Sequence, residues 1–325
     1  LNTTPAPEIR PIFILSLPRT GSTLLQRILG SHESIGTASE PWFLLPLLYS
    51  MREKGAFAEY PHEVMAQGVR GFAEAYLPKG LAAYEEGIRD LALRLYREAA
   101  PGKLYFLDKT PRYHHVANDL FRLFPEGRFI FLWRHPLAVA ASMIDAFGGG
   151  TWNLDGFAAD LFEGLDQLIS ARETHRESSI EVRYEDLVAH PDREIARLLR
   201  YLELPDDRTL ASRFIDLEMR NPRYWDHTGT TRYRNVSLES LETWKSTMTN
   251  PLRRAWCRRY LRWIGRERLA LMGYSLDDLV AEVEALPHSL RRLGPDVLSA
   301  YGGLRRRRLY SRMLSKPLPL WPLPA

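Results

Sequence analysis

A single cysteine, Cys257, occurs in 325 residues, so no internal disulfide can form; the chain suits a reducing compartment, and a cytoplasmic location is expected. Nine histidines accompany it without any C-x-x-C or H-E-x-x-H spacing, so no metal is expected. No G-x-S-x-G elbow is present, which removes the usual serine-hydrolase arrangement. No apolar run reaches the length of a membrane-spanning helix, and no charged-then-apolar leader opens the chain. Excess charge of one sign is also scarce, since 44 basic and 40 acidic residues leave a net charge of +4. That charge is unevenly placed. From Arg291 onward, Arg291, Arg292, Arg305, Arg306, Arg307, Arg308, Arg312 and Lys316 face the single acid Asp296, a local excess of about +7 that leaves about −3 for everything before it. The preceding part is therefore no general nucleic-acid binder. The basic run reads as a solvated tail with an extended end, Lys316-Pro317-Leu318-Pro319-Leu320-Trp321-Pro322, offering charge to an acidic partner or a membrane surface.

With 45% hydrophobic and 26% charged residues, the chain has the composition of one large α/β domain. Four short apolar runs, at residues 12–16, 104–108, 129–133 and 180–184, alternate with helical stretches at 22–29, 87–99, 136–146, 155–173 and 192–202. This pattern predicts a central, mostly parallel sheet flanked by helices in three P-loop-like layers. A helical C-terminal part follows, including 238–245 and 252–271. The simplest partition is one domain over 1–286 and a basic extension over 287–325.

The most informative segment is the first. An apolar strand runs into Leu17-Pro18-Arg19-Thr20-Gly21-Ser22-Thr23 and directly into an amphipathic helix. Backbone N–H groups around Gly21 can converge on anionic oxygens at the helix N-terminus, with Arg19, Ser22 and Thr23 adding side-chain donors. A nucleotide-hydrolysing loop reads G-x-x-x-x-G-K-[ST]; here Ser16 stands at the first glycine and Ser22 at the lysine. The cradle is kept and the metal-triphosphate apparatus is not.

Open parallel sheets bind ligands beyond the carboxyl ends of their strands. Three of the four strand ends deliver a cation there: Arg19, Lys109 and Arg134. After the third, Arg134-His135-Pro136 starts a helix on which Ser142 lies about two turns along, able to donate to the same phosphate that Arg134 grips.

Together these segments resemble the sulfotransferases that use 3′-phosphoadenosine 5′-phosphosulfate (PAPS), particularly the bacterial and protein-tyrosine branches. The likeness runs over residues 11–245. Leu17 through Leu25 resembles the 5′-phosphosulfate loop, and Arg134 through Ser142 the 3′-phosphate site. Val182-Arg183-Tyr184-Glu185-Asp186-Leu187 resembles the segment whose tyrosine approaches the nucleotide, and Tyr233-Arg234-Asn235-Val236-Ser237 the late loop over the 3′-phosphate. The resemblance implies transfer of a sulfuryl group from PAPS to an acceptor hydroxyl, leaving adenosine 3′,5′-bisphosphate, with no metal required. It implies that Arg19, Thr20, Gly21, Ser22 and Thr23 hold the phosphosulfate and that Arg134, Ser142 and Arg234 hold the 3′-phosphate. Tyr184 would lie near the nucleotide, and Lys109 and Arg19 would neutralise charge at the transferring group.

The expected base is Glu40, which related members match with a glutamate; Pro41, Trp42 and Phe43 could desolvate it, while the competing reading has it capping a helix over 42–49. The cytosolic small-molecule branch instead places a histidine after its Lys-Thr pair. Here Pro111 occupies that place, leaving His114 or His115 as the alternative base. Two other functions remain open at this stage: a metal-dependent small-molecule kinase, because the run at 104–108 ends in Asp108, and a catalytically silent nucleotide-binding module. No pattern within 49–100 or 147–171 names the acceptor, whether carrier- or peptide-linked.

Overall fold

The structure is a computed structural model that describes residues 9–207, 209–214, 217 and 239–314. Five strands, β1 (Arg10–Leu15), β2 (Ile35–Thr37), β3 (Tyr105–Asp108), β4 (Arg128–Trp133) and β5 (Ser179–Arg183), form one sheet in the order β2-β3-β1-β4-β5. Every pairing is parallel, with Phe13 opposite Asp108, Leu15 opposite Phe131 and Trp133 opposite Arg183.

The strands are apolar throughout because both faces are covered. Alternation sends Phe13, Leu15, Phe129, Phe131 and Trp133 to one side and Ile12, Ile14, Ile130 and Leu132 to the other. The first set packs on α4 (Leu81–Ala99), α5 (Ala117–Leu123), α6 (Pro136–Gly148) and α7 (Leu165–Thr174). The second packs on α1 (Ser22–Gly30) and α9 (Pro191–Tyr201), with α8 (Tyr184–Ala189) between β5 and α9. The three-layer expectation therefore holds.

Several elements differ from the sequence reading. The edge strand β2 was not expected: it is three residues long and centred on Gly36. Two helices, α2 (Leu44–Tyr49) and α3 (His62–Tyr76), precede α4, which itself begins earlier than expected. The stretch expected as one helix over 155–173 divides into a 3-10 turn at Leu154–Phe157, a π-helical turn at Ala159–Gly164 and α7. A single helix over 252–271 is likewise interrupted at Gly265, whose φ of 82° no continuing helix adopts. Finally, Leu293–Met313 is a helix packed on the domain, a correction to the solvated tail, with fully buried Asp296 as its anchor. The last residues, 315–325, lie outside the described residues.

Candidate active site

The loop between β1 and α1 supplies the cradle. Gly21 is the N-cap of α1 at φ 94°, and no side chain caps that first turn. A Cβ on Gly21 would stand 2.4 Å from two ring carbons of Tyr184, so only glycine lets loop and ring meet. Arg19 also adopts a left-handed φ of 70°, a conformation that costs a non-glycine residue about 1–2 kcal/mol and persists where the surroundings impose it. Its Nε donates to Ser142 Oγ at 3.2 Å, and its guanidinium lies 5.8 Å from the Phe147 ring centroid. Arg134, at the end of β4, donates from Nη1 to the Arg19 carbonyl at 2.9 Å and stacks 4.4 Å over the Tyr184 ring. Residues from three strand ends and α6 are thereby locked into one cluster. Tyr184 is buried and forms its floor. Thr20 is committed differently from Ser22 and Thr23, for its hydroxyl donates to the Leu17 carbonyl at 2.9 Å and closes the loop on itself.

Lys109 directly follows β3, the strand that pairs with β1, and so leaves the same carboxyl edge of the sheet. Its Nζ donates to Glu40 Oε1 at 2.6 Å, with only 3% of the lysine side chain and 11% of the glutamate's exposed. Trp42 Nε1 donates to the other oxygen, Oε2, at 3.1 Å, from a backbone held at φ 61°. What meets the Glu40 carboxylate is therefore an ammonium and an indole N–H, not the hydrocarbon expected from Pro41, Trp42 and Phe43. The capping alternative also fails, because the N-cap of α2 is Phe43 and no side chain caps that helix.

Asp108, the residue that kept a kinase in view, is closed off. It is fully buried and accepts from Tyr96 Oη at 2.6 Å, Tyr113 Oη at 2.7 Å and Thr110 Oγ1 at 3.0 Å. Burial pushes its carboxyl up to about 6 against the pull of those donors. Three hydroxyls surround the oxygens a Mg²⁺ would need. Thr110 Oγ1 also accepts from the Trp42 N–H at 3.3 Å, so the Asp108 cluster positions the Glu40 segment.

His114 is fully buried, with Nδ1 3.1 Å from the Pro111 carbonyl and Nε2 3.2 Å from Asp160 Oδ1, which leaves no path for an acceptor hydroxyl to reach it. Among the described residues, His114, His115 and Asp160 are near enough to hold a metal ion, but Arg112 Nε already brings a positive charge to within 3.1 Å of the same Asp160 oxygen. Arg234 lies outside the described residues.

Two features escaped sequence reasoning. Glu185 accepts from the His135 N–H at 2.9 Å and from Tyr274 Oη at 2.7 Å, tying the ends of β4 and β5 together. His135 caps α6 through Nδ1, which accepts from the Ala138 N–H, and burial with Arg134 beside it pushes its imidazole down to about 3. A neutral ring therefore stands next to the Arg134 cation. The His-Pro pair at a helix start was the only local signal for that cap.

The fold is an α/β protein of P-loop-like construction. The profile of the sulfotransferase family matches residues 11–208, and the chain belongs to that family. Nodulation protein NoeE of Sinorhizobium fredii (strain NBRC 101917 / NGR234) is 30% identical over 260 residues, covering 73% of this chain and 60% of that protein. Protein-tyrosine sulfotransferase A of Caenorhabditis elegans is 24% identical over 296 residues, covering 88% of this chain and 67% of its own length. The chain thus spans about 60–67% of these two curated relatives. A solved sulfotransferase domain from the Synechococcus PCC 7002 olefin synthase superposes with a TM-score of 0.48 at 22% identity, over 74% of this chain and 89% of that one.

Proposed function

We propose that this protein transfers a sulfuryl group from PAPS to an acceptor hydroxyl and releases adenosine 3′,5′-bisphosphate. Family membership supports the reaction class. The observation that carries the residue-level reading is the cluster in which Arg134, Arg19, Ser142 and Tyr184 close around Gly21, with the Lys109–Glu40 pair following the adjacent strand β3. The uncapped first turn of α1, which Gly21 opens with the Tyr184 ring packed against it, and two guanidinium groups form a donor set suited to a bisphosphorylated adenosine.

Bound PAPS would supply the activated sulfuryl group and a phosphate leaving group. The loop N–H groups with Arg19, Thr20, Gly21, Ser22 and Thr23 would bind its phosphosulfate, and Arg134 and Ser142, joined by Arg234, its 3′-phosphate. Lys109 and Arg19 place positive charge where charge develops on the leaving oxygens, so protein cations supply the field and no metal is assigned. Glu40 takes the acceptor proton. Trp42 and Lys109 hold its carboxylate in place, and exchange of the Lys109 ammonium from Glu40 to the reacting oxygens would free Oε1 for that proton. The half-exposed rings of Trp42 and Phe147 border the site, and we assign the acceptor to their side. Acceptors linked to a carrier or a peptide both remain in the class. The proposed setting is the cytoplasm, and no helix among the described residues is long and apolar enough to cross a membrane.

The test is a pair of measurements. Calorimetry should show binding of adenosine 3′,5′-bisphosphate without metal and in preference to ATP·Mg²⁺. Arg134→Ala should weaken it roughly 10- to 100-fold, because a charge-assisted contact is lost. A host extract incubated with isotopically labelled PAPS should then yield products heavier by the mass of SO₃. Preference for ATP·Mg²⁺ would overturn the reading, and bisphosphate binding without any labelled product would reduce the protein to a nucleotide-binding module.

A further inference from the structure

The helix Leu293–Met313 takes no part in the chemistry above, yet it is firmly docked. Fully buried Asp296 accepts from the Trp152 N–H at 2.9 Å, from Asn250 Nδ2 at 2.7 Å and from Arg253 Nε at 2.7 Å. Ser299 Oγ donates to the Trp152 carbonyl at 2.6 Å, and Gly303 lies so near Asp155 that a Cβ would meet its Oδ2 at 2.3 Å. At 3.6 residues per turn, Asp296, Gly303 and Arg307 fall within an arc of about 40° facing the body.

The opposite side carries a pattern that docking to the domain does not explain. Val297, Leu298, Tyr301 and Leu309 are 48%, 75%, 64% and 58% exposed, and Arg305, Arg308 and Arg312 are exposed among them. These seven residues fall within about 120° of the helix circumference. Arg305 lies 5.6 Å from the Tyr301 ring centroid, so cation and ring already share the face. No acid other than inward-facing Asp296 occurs from Arg291 to the end of the chain. A stripe of large apolar groups and unrelieved positive charge is unfavourable in water on both counts.

We propose that this face docks on an anionic lipid surface. Leucine and tyrosine side chains would enter the boundary between headgroups and acyl chains, while the arginines pair with lipid phosphates. A nucleic-acid backbone would satisfy the arginines but leave Leu298 and Leu309 against polar groups; a bilayer interface accommodates both kinds of side chain at once. The sequence beyond Leu314 continues in kind with Lys316, Leu318, Leu320 and Trp321, cationic and interfacial residue types. At one end of the helix Arg292 Nη1 donates to the Gly149 carbonyl at 3.1 Å, just past Phe147; at the other the Gly55 N–H donates to the Leu314 carbonyl at 3.1 Å, a few residues after α2. Both segments lead from the site, so a docked helix would bring its acceptor side near the lipid. That consequence rests on the sulfotransferase reading, whereas the docking itself does not.

Co-sedimentation of the full chain with vesicles tests it, without donor or acceptor. Vesicles of phosphatidylglycerol and phosphatidylcholine in equal parts should bind at least tenfold more tightly than phosphatidylcholine alone, and high salt should weaken the binding. The double variant Arg305→Glu/Arg308→Glu should lose at least tenfold, and Leu298→Ser/Leu309→Ser several-fold. Both variants should keep the unaltered chain's affinity for adenosine 3′,5′-bisphosphate, which reports an intact fold. Equal binding to neutral vesicles, or none to either, would overturn the proposal. So would binding of a DNA duplex in preference to anionic vesicles with indifference to the leucine substitutions, which would make the face a nucleic-acid contact.

Discussion

Glu40 and Lys109 hold each other in a nearly closed pocket, so a change at either is felt by the other. Glu40→Gln keeps the shape and removes the proposed proton acceptor; turnover should fall on the order of 10²–10⁴ while affinity for adenosine 3′,5′-bisphosphate stays within a few-fold. Steady-state rates beside calorimetric binding separate the two, and unchanged turnover would remove Glu40 from the chemistry. Gly21 acts through geometry alone. Gly21→Ala places a methyl 2.4 Å from a ring that Arg134 covers from above, at a φ of 94° that alanine disfavours. It should cost at least tenfold in bisphosphate affinity and lower the melting temperature, measurable on the same sample.

Elements differ in how much of them local sequence encodes. The four longer strands could be found because continuous apolar runs bounded by polar loops mark strands buried on both faces. The edge strand β2 escaped because three residues centred on a glycine carry no period. What makes it a strand is its parallel pairing with β3 and the approach of Gly36 to Ala100, where a Cβ would meet the alanine Cβ at 2.2 Å. Gly36→Ala should therefore destabilise by about 1–3 kcal/mol through overpacking. Gly68→Ala, inside α3 where a Cβ meets nothing within 4 Å, should stabilise by about 0.5–1 kcal/mol. Denaturant melts of the two variants would check the contrast. The interruption between the 3-10 turn at Leu154–Phe157 and α7 was hidden for another reason: apolar spacing there is helical throughout, and the π-helical turn places Gly164 against His114, where a Cβ would stand 2.5 Å from the ring.

For the whole molecule, two buried groups set opposing responses to acid. Asp108 is raised from 3.8 to about 6 by burial, so between those values the folded chain holds a proton the unfolded chain has lost; its contribution to stability falls as pH rises through that window, by about 3 kcal/mol in all. His135 is lowered from 6.5 to about 3, chiefly by burial, so the unfolded chain takes up a proton that the folded chain refuses; its contribution falls as pH drops through that range. Asp108→Asn should steepen the gain in stability with rising pH between about pH 4 and 6, and His135→Asn, which keeps a capping side chain, should flatten it. Urea melts at several pH values would show both slopes, and identical slopes in all three proteins would refute the assignment.

The amino-acid sequence by itself determined the strand, loop and helix over 10–30, the delivery of Arg19, Lys109 and Arg134 to strand ends, and the family likeness. These follow from periodicities and turn chemistry that act over a few residues. Only the tertiary structure decided that Glu40 reaches Lys109 across 69 residues of chain, that Tyr96 and Tyr113 enclose Asp108, and that Leu293–Met313 is a helix anchored through Asp296. Such contacts depend on how crossover helices bring distant strand ends together and on which polar groups burial compels to find partners, and neither is written in local spacing.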